Sequence, residues 1–213
     1  NDAYRIEGNI FEDVNGDAQL GDAVQLSNVT VYLYQDVDDD GLISAADTLY
    51  ATTTTDVNGF YRFSSLANDT YFVVVDSRTI APSVGLNATY LQTDVWAEQT
   101  YGVAGAASGS GFQLGSGALF GGRTADVSDD ASSLLTAEHV TRVAVSGSDV
   151  GNIDAGFSFN VVTGVRDGDD VGGENRSVQG SLRQFVQNAN AIAGENAMRF
   201  VPGVSTNTTD GIG

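Results

Sequence analysis

The stretch VTVYLY at residues 29–34 decides the fold class, and the acidic run DVDDDGLISAAD at residues 36–47 follows it after a single residue. Val29, Val31 and Leu33 alternate with Thr and Tyr, which places the aliphatic side chains on one face of a strand. A strand with one apolar and one polar face is typical of antiparallel sheets that pack in a sandwich. The stretch therefore predicts an all-β protein.

Comparable short runs recur along the chain, each bounded by Gly, Asn or Asp. They occupy residues 4–11, 49–55, 60–63, 71–75, 138–145 and 153–159. Their spacing predicts hairpins and a β-sandwich over residues 1–160. Residues 76–135 are looser and include a stretch rich in Gly, Ser and Ala, so we expect a long loop insertion there.

The C-terminal part of the chain has a different pattern. Residues 161–180 are rich in Asp and Gly, which predicts a linker. Ser181 is a favourable N-cap and Gly194 a favourable C-cap for a helix between them, and a short strand is expected at residues 198–201. The apolar face of this helix is predicted to consist of Leu182, Phe185, Val186, Ala189 and Ile192. Residues 181–213 are therefore predicted to form a helix and strand that act as a cap or an assembly segment.

The charge of the chain excludes two classes of partner. The chain has 28 acidic and 9 basic residues, a formal net charge of -19, and all of the basic residues are Arg. Such a charge repels nucleic-acid phosphates and anionic lipid surfaces, so we expect no nucleic acid as a partner. No stretch approaches the roughly 20 apolar residues of a membrane-spanning helix, so we expect no membrane insertion.

Residues suited to catalysis are few. The chain has no Cys, which excludes disulfides, thiolate metal sites and thiol nucleophiles. His139 is the only histidine, and it lies in a strand-like run without a serine in a Gly-x-Ser-x-Gly motif. We therefore expect His139 at the surface, and we expect a protein that is not an enzyme and has no catalytic residues.

The acidic run at residues 36–47 has the spacing of a calcium loop. Calcium takes about six to eight oxygen ligands, and carboxylates at positions 1, 3 and 5, a glycine at 6 and an acid at 12 supply them. The predicted ligands are Asp36, Asp38, Asp40, the carbonyl of Leu42 and Asp47, with Gly41 at the turn and Ser44 acting through water. Asp47 is shorter than the usual Glu, which puts bidentate closure in question. The alternative is a solvated acidic hairpin.

A second acidic run, at residues 13–22, keeps the spacing of the first three ligands but has Val24 where the closing acid belongs. Its predicted ligands are Asp13, Asn15, Asp17, Gln19 and Asp22, of which the last replaces the missing acid. An ordinary Asx-rich turn is the alternative. The sequence thus predicts calcium as the cofactor, with one ion or two.

The order of these motifs resembles that of the SdrD B-like and Cna B-type repeat domains of bacterial surface proteins. The matching runs are GNIFEDVNGD at 8–17, NVTVYLY at 28–34, TTTTDVNGFYRFSSL at 52–66 and TYFVVV at 70–75. The resemblance implies a prealbumin-like Greek-key sandwich that binds calcium and acts as a rigid stalk or adhesive unit. Some Cna B-type domains contain a Lys-Asn isopeptide crosslink, which a chain without Lys cannot form.

A second resemblance concerns the C-terminal segment. The runs QGSLRQFVQNAN at 179–190 and GENAMRF at 194–200 look like the cap that opens right-handed β-helix surface proteins. An amphipathic helix packed on the sandwich explains the same periodicity.

The function expected from the sequence is that of a secreted or cell-surface module, structural or adhesive, that calcium stabilises. Its expected partners are calcium and neighbouring domains or identical subunits, and the sequence identifies no receptor or glycan. Two alternatives remain. One is a self-assembling subunit of a filament or surface layer that uses strand addition, and the other is a non-catalytic accessory module of a secreted enzyme.

Overall fold

The computed structural model of the chain describes residues 3–21, 23–109, 111–124, 127–165, 176 and 178–201. The strands are β1 (Tyr4–Asp13), β2 (Ala23–Gln25), β3 (Thr30–Gln35), β4 (Thr48–Thr54), β5 (Phe60–Leu66), β6 (Asp69–Val75), β7 (Glu98–Gly102), β8 (Ala107–Ser108), β9 (Gly111–Phe112), β10 (Gly117–Ala118), β11 (Val140–Val145), β12 (Ala155–Ser158), β13 (Val161–Val162) and β14 (Arg199–Phe200). The helix α1 spans Leu182–Ala191, and short 3-10 helices span Ser77–Thr79 and Gln92–Asp94.

These strands form an all-β sandwich, as the sequence predicts. The larger sheet has the strand order β10-β7-β12-β1-β2, with β5 paired to the first part of β1. The smaller sheet has the order β11-β6-β3-β4. Within these two sheets β1 and β12 are parallel, and the other pairs are antiparallel. Because neighbours in each sheet are mostly not consecutive in sequence, the chain crosses between the sheets repeatedly.

The main core lies between the two sheets and follows the alternation read from the sequence. Val31 and Leu33 are fully buried, whereas Thr30 and Tyr32, which alternate with them, are partly exposed. Opposite β3, the larger sheet contributes Ile6, Ile10 and Phe157. Burial of these side chains stabilises the sandwich by roughly 1.5–3 kcal/mol each.

The segment predicted as a loop insertion contributes more to the fold than a loop would. β7 lies inside the larger sheet between β10 and β12. Residues further along form a second apolar cluster with the outer face of the smaller sheet, in which Ala131, Leu134 and Ala137 pack with Phe72 and Val74. This second cover explains why β6 is apolar at consecutive positions, since a strand covered on both faces needs no polar side.

The C-terminal helix packs on the sandwich mainly with a face other than the predicted one. Ser181 caps it as expected, accepting a hydrogen bond from the Gln184 N–H at 3.1 Å. Of the residues predicted to pack, Ile192 is buried in the main core, whereas Leu182 and Val186 are about half exposed. The buried residues of the helix are Gln184, Asn188 and Ala191, and the Asn188 side chain bonds both the N–H and the C=O of Trp96.

The two acidic loops lie at opposite ends of the sandwich. The loop after β1 lies at the end where β5 begins, because Asn9 pairs with Phe60. A short turn connects β5 to the end of β4, which lies beside the start of β3, since Thr54 pairs with Thr30. The loop at 36–47 follows the other end of β3. Any ion in one loop is therefore a separate site from the other.

Candidate metal centre

Three aspartates predicted as ligands come together in the loop after β3. One carboxylate oxygen from each of Asp36, Asp38 and Asp40 lies within 4.8 Å of the others. Asp36 is 1% exposed, and its N–H donates to the carbonyl of Thr70 at 3.1 Å, so the neighbouring strand β6 fixes it. Asp38 and Asp40 are exposed at the tip. The cluster therefore joins one rigid, buried carboxylate to two solvated ones.

The backbone of the loop turns as a cation loop requires. Asp39 and Gly41 have left-handed φ angles of 55° and 68°, a region that glycine adopts without strain. The turn points the Gly41 N–H at Asp36 Oδ2, at 2.8 Å, and the Leu42 N–H at Asp40 Oδ1, at 2.7 Å. From β11, Arg142 donates to the Gly41 carbonyl at 2.9 Å. Sequence reasoning missed this contact because Arg142 lies about a hundred residues away.

Two carboxylate oxygens of the loop have no hydrogen-bond partner among the described residues. They are Asp36 Oδ1 and Asp47 Oδ1, and both are buried. The other oxygen of Asp47 accepts from the Ser44 N–H at 2.7 Å. A buried polar atom without a partner is costly, and a buried charge more so. A cation bound by these oxygens would remove that cost.

The charge of the loop also favours a bound cation. The pKa of Asp36 is raised, first by burial and further by its interaction with the Asp38 side chain and by the charge of Asp47, while the N–H groups of Gly41 and Asp40 oppose the rise. The two ion pairs found among the described residues, Arg62 with Glu7 and Arg78 with Asp130, do not involve the loop. Its negative charge is therefore not balanced by a side-chain ion pair in the part of the chain that the structure describes.

The donor set fits a hard divalent cation. All of the predicted ligands offer oxygen, which suits Ca²⁺ or Mg²⁺ and not the softer metals that select thiolate. Asp36, Asp38 and Asp40 would hold the ion, with Asp47 as the fourth carboxylate. The roles of Asp47, the Leu42 carbonyl and Ser44 as ligands stay predictions, because the observed cluster consists of the first three aspartates.

The loop after β1 has a similar acidic spacing, but both oxygens of its first aspartate already accept hydrogen bonds within the loop. Asp13 is fully buried, and its two oxygens accept from the N–H groups of Asp17, at 3.1 Å, and Ala18, at 2.8 Å. Asn15 Oδ1 also accepts from Asp17, and Asp17 Oδ1 accepts from Gln19. These bonds are those of an Asx-rich turn, the alternative to a metal site at this loop. Asp22 lies outside the described residues, so metal binding here stays a prediction.

A buried polar network lies away from both loops, and it corrects the expectation for His139. His139 is 1% exposed, and its pKa is lowered by burial. Its Nδ1 lies 3.0 Å from Gln99 Oε1 and its Nε2 lies 3.2 Å from Gln179 Nε2. Gln179 in turn accepts from the N–H of Asp129, which is fully buried. Sequence reasoning placed His139 at the surface because nothing in β11 shows that residues 97–99 and 179 cover it.

This network joins the segment predicted as a linker to the sandwich. Gln179 Nε2 donates to the Ala97 carbonyl at 2.6 Å and to Ser77 Oγ at 3.0 Å. Nearby, burial raises the pKa of Glu98 to about 8 and that of Glu138 to about 7. The end of the predicted linker is therefore part of the folded body.

No protein-family model matches the chain. Among solved structures it is similar to the major pilin SpaA of Corynebacterium diphtheriae, at 12% identity, TM-score 0.35 and coverage of 73% of this chain and 30% of the pilin. It is also similar to the shaft pilin SpaA of Lactobacillus rhamnosus GG, at 14% identity, TM-score 0.30 and coverage of 73% and 50%. The major plantain pollen allergen Pla l 1 matches at 10% identity and TM-score 0.35, with coverage of 73% and 94%.

These similarities are too weak to carry an argument about function or assembly. The assignment of a β-sandwich rests on the strand pairing described above. The chain spans less than a third of the first pilin and half of the second. The narrower resemblances, to SdrD B-like repeats and to a β-helix cap, stay predictions.

Proposed function

We propose that the chain is a non-catalytic, structural or adhesive module of an extracellular surface protein, and that calcium bound in the loop after β3 stabilises its fold. One observation carries the proposal. Asp36 is 1% exposed, is clustered with Asp38 and Asp40, and has one oxygen without a hydrogen-bond partner among the described residues. A chain without Cys or Lys can form neither disulfides nor Lys-Asn crosslinks, so neither of these can provide the stabilisation that we assign to the ion.

The chemistry of the other residues supports a non-catalytic role. The single imidazole, His139, is buried and held between two glutamine side chains, so it has no access to a substrate. None of the described helices is long and apolar enough to cross a bilayer. An acidic surface with all-oxygen cation loops suits a medium in which calcium is abundant, which supports an extracellular location.

Thermal unfolding with and without calcium tests the proposal. A ligand at about 100 times its dissociation constant stabilises the native state by about 2.7 kcal/mol, which raises the Tm of a chain of this size by roughly 5–10 °C. We expect this rise with calcium over EDTA, a smaller one with magnesium, and about one ion per chain by calorimetry. Equal melting temperatures in calcium and EDTA would contradict the proposal.

A filament subunit is the second candidate function. The observation that favours it is the edge strand β4, which among the described residues pairs only with β3 and so can accept a strand from a neighbouring subunit. A filament, unlike a closed dimer, requires that this strand come from a segment other than β4. The accessory-module alternative differs only in what the module is joined to.

A further inference from the structure

The edge strand β4 differs from every other strand of four or more residues that the structure describes. It is the one without a buried residue. Its sequence, TLYATTT at residues 48–54, has no charge, no Pro and high β-propensity. Among the described residues only β3 pairs with it, with one register shift at Tyr50. On either side of that shift, alternate residues of β4 point their N–H and C=O groups away from the sheet. This strand is an open template for pairing.

The other sheet edges are protected in ways that natural proteins commonly use. At the far edge of the smaller sheet, β11 is covered by the chain near β8, where the Arg142 N–H donates to the Gly105 carbonyl at 2.8 Å. In the larger sheet, β5 carries the charged Arg62 and is broken by Ser65, whose φ is 63°. The edge strands β2 and β10 have three and two residues. Among the described strands, β4 alone is long, neutral and open.

We propose that β4 pairs, antiparallel, with β4 of a second copy of this chain, so that two smaller sheets join into one continuous sheet. The inference goes beyond the proposed function and does not depend on it, since the pairing uses backbone groups and no metal. Antiparallel pairing about a two-fold axis uses the same strand from both copies and closes at a dimer.

Charge is the argument for a second copy as the occupant. Two chains of net charge -19 repel each other over most of their surfaces, and β4 is a place where they can meet without opposing carboxylates. Pairing centred on Ala51 puts Tyr50 opposite Thr52 and Thr48 opposite Thr54. The flanking acids Asp47 and Asp56 then lie beyond the ends of the paired region, each opposite a neutral residue. A β4 strand is therefore complementary to itself.

The repulsion between the remaining surfaces predicts an unusual salt dependence. Raising the ionic strength from about 0.15 M to about 1 M shortens the screening length from about 8 Å to about 3 Å. We expect the dimer to strengthen with salt, because the contact itself is neutral while the charges around it repel.

Sedimentation velocity of the full chain, over a range of protein concentrations at both ionic strengths, tests the inference. The test variant is Thr52→Lys, which puts a charge on an exposed residue in the middle of β4. The matched control is Ser64→Lys, which makes the same charge change on an exposed residue of β5. Both variants reduce the net negative charge, so a loss of dimer in Thr52→Lys alone cannot arise from general repulsion.

We expect a monomer–dimer equilibrium for the native chain and for Ser64→Lys, and a dissociation constant raised about tenfold or more in Thr52→Lys. Melting temperatures verify that both variants fold, and Thr54→Lys replaces Thr52→Lys if the latter does not. Amide hydrogen exchange in β4 should slow as the protein concentration rises. A monomer at all concentrations, equal dimerisation of the two variants, unchanged β4 exchange, or larger assemblies that persist in Thr52→Lys would overturn the proposal.

Discussion

Each of the two acidic loops begins with an aspartate that strand packing buries. Asp13 ends β1 and is 0% exposed, and Asp36 follows β3 and is 1% exposed. In both loops the residues at positions 4 and 6 have left-handed backbones. In the loop after β1 these residues are Gly16 and Ala18, with φ angles of 67° and 61°. In the loop after β3 they are Asp39 and Gly41, which have nearly the same angles. The two runs therefore share one local conformation.

They differ in what the first carboxylate is bonded to. Both oxygens of Asp13 accept N–H groups of its own loop, whereas Asp36 accepts the Gly41 N–H on one oxygen and, from the described residues, nothing on the other. The loop after β1 also packs on the C-terminal part of the chain, where Asn160 donates to the Val14 carbonyl at 2.9 Å. The comparison teaches that the same acidic spacing can leave different numbers of carboxylate oxygens without a hydrogen bond. We expect the loop with the unbonded oxygen to bind the cation more tightly.

The largest expected effect is the loss of the calcium response in Asp36→Asn. This variant removes a buried ligand, so the stabilisation of about 2.7 kcal/mol expected at a hundredfold excess of calcium should disappear. In EDTA the variant should be no less stable than the native chain, because an unpartnered buried charge is removed. Thermal unfolding in calcium and in EDTA measures both.

The control for Asp36→Asn is Asp39→Asn, which makes the same charge change at an exposed position of the loop outside the ligand set. It should keep the calcium response. Equal responses of the native chain and Asp36→Asn would show that Asp36 is not a ligand.

The matching change in the loop after β1, Asp13→Asn, should lower the free energy of unfolding equally with and without calcium. It replaces an oxygen that accepts an N–H by an amide group that cannot accept one, which costs about 1–3 kcal/mol when the group is buried. We expect the same loss of unfolding free energy in calcium and in EDTA, measured by chemical denaturation. A loss found only in calcium would mean that the loop after β1 binds an ion too, and the contrast between the loops would fail.

A pH series sharpens the same comparison. The folded-state pKa of Asp36 is raised above its ordinary value, so the folded state favours the protonated carboxyl. In EDTA this group therefore stabilises the folded state at low pH, and that stabilisation is lost as the pH rises through the folded-state pKa. Calcium requires the charged form, so the calcium-induced rise in Tm has the opposite dependence and grows with pH. We expect this rise to shrink as the pH falls through the folded-state pKa of Asp36, which lies above the value of about 4 for an ordinary aspartate. A calcium response that stays constant as the pH falls to about 4 would contradict a raised pKa for Asp36.

The sequence predicts the fold and the clustering of the first three aspartates because both depend on short-range patterns. Alternation in VTVYLY identifies one face of β3, and the spacing of Asp36, Asp38 and Asp40 places their oxygens together. Ser181 caps α1 for the same local reason. These features need no knowledge of what packs against them.

The parts that could not be predicted depend on distant contacts. The helix α1 leaves much of its apolar face exposed because it packs through Asn188, which bonds Trp96. This pairing spans about ninety residues, and no helical periodicity indicates it. His139 is buried by residues from two other segments. The difference between the loops is of this kind as well, since both have the acidic spacing and only the folded chain shows which oxygen is unused.

The smallest expected effect comes from exchanging the residues at position 6 of the two loops. Gly41→Ala places a Cβ on a backbone with φ of 68°, where the added atom would lie 3.3 Å from the Arg142 guanidinium, so a loss of about 1–2 kcal/mol is expected. In Ala18→Gly the relief of left-handed strain is nearly offset by the lost burial of a methyl group that is 2% exposed. We expect a change within about 0.5 kcal/mol there, since both terms are on the order of 1 kcal/mol. Chemical denaturation of both variants in saturating calcium measures the pair, and a larger loss in Ala18→Gly than in Gly41→Ala would show that the two loops do not share one turn.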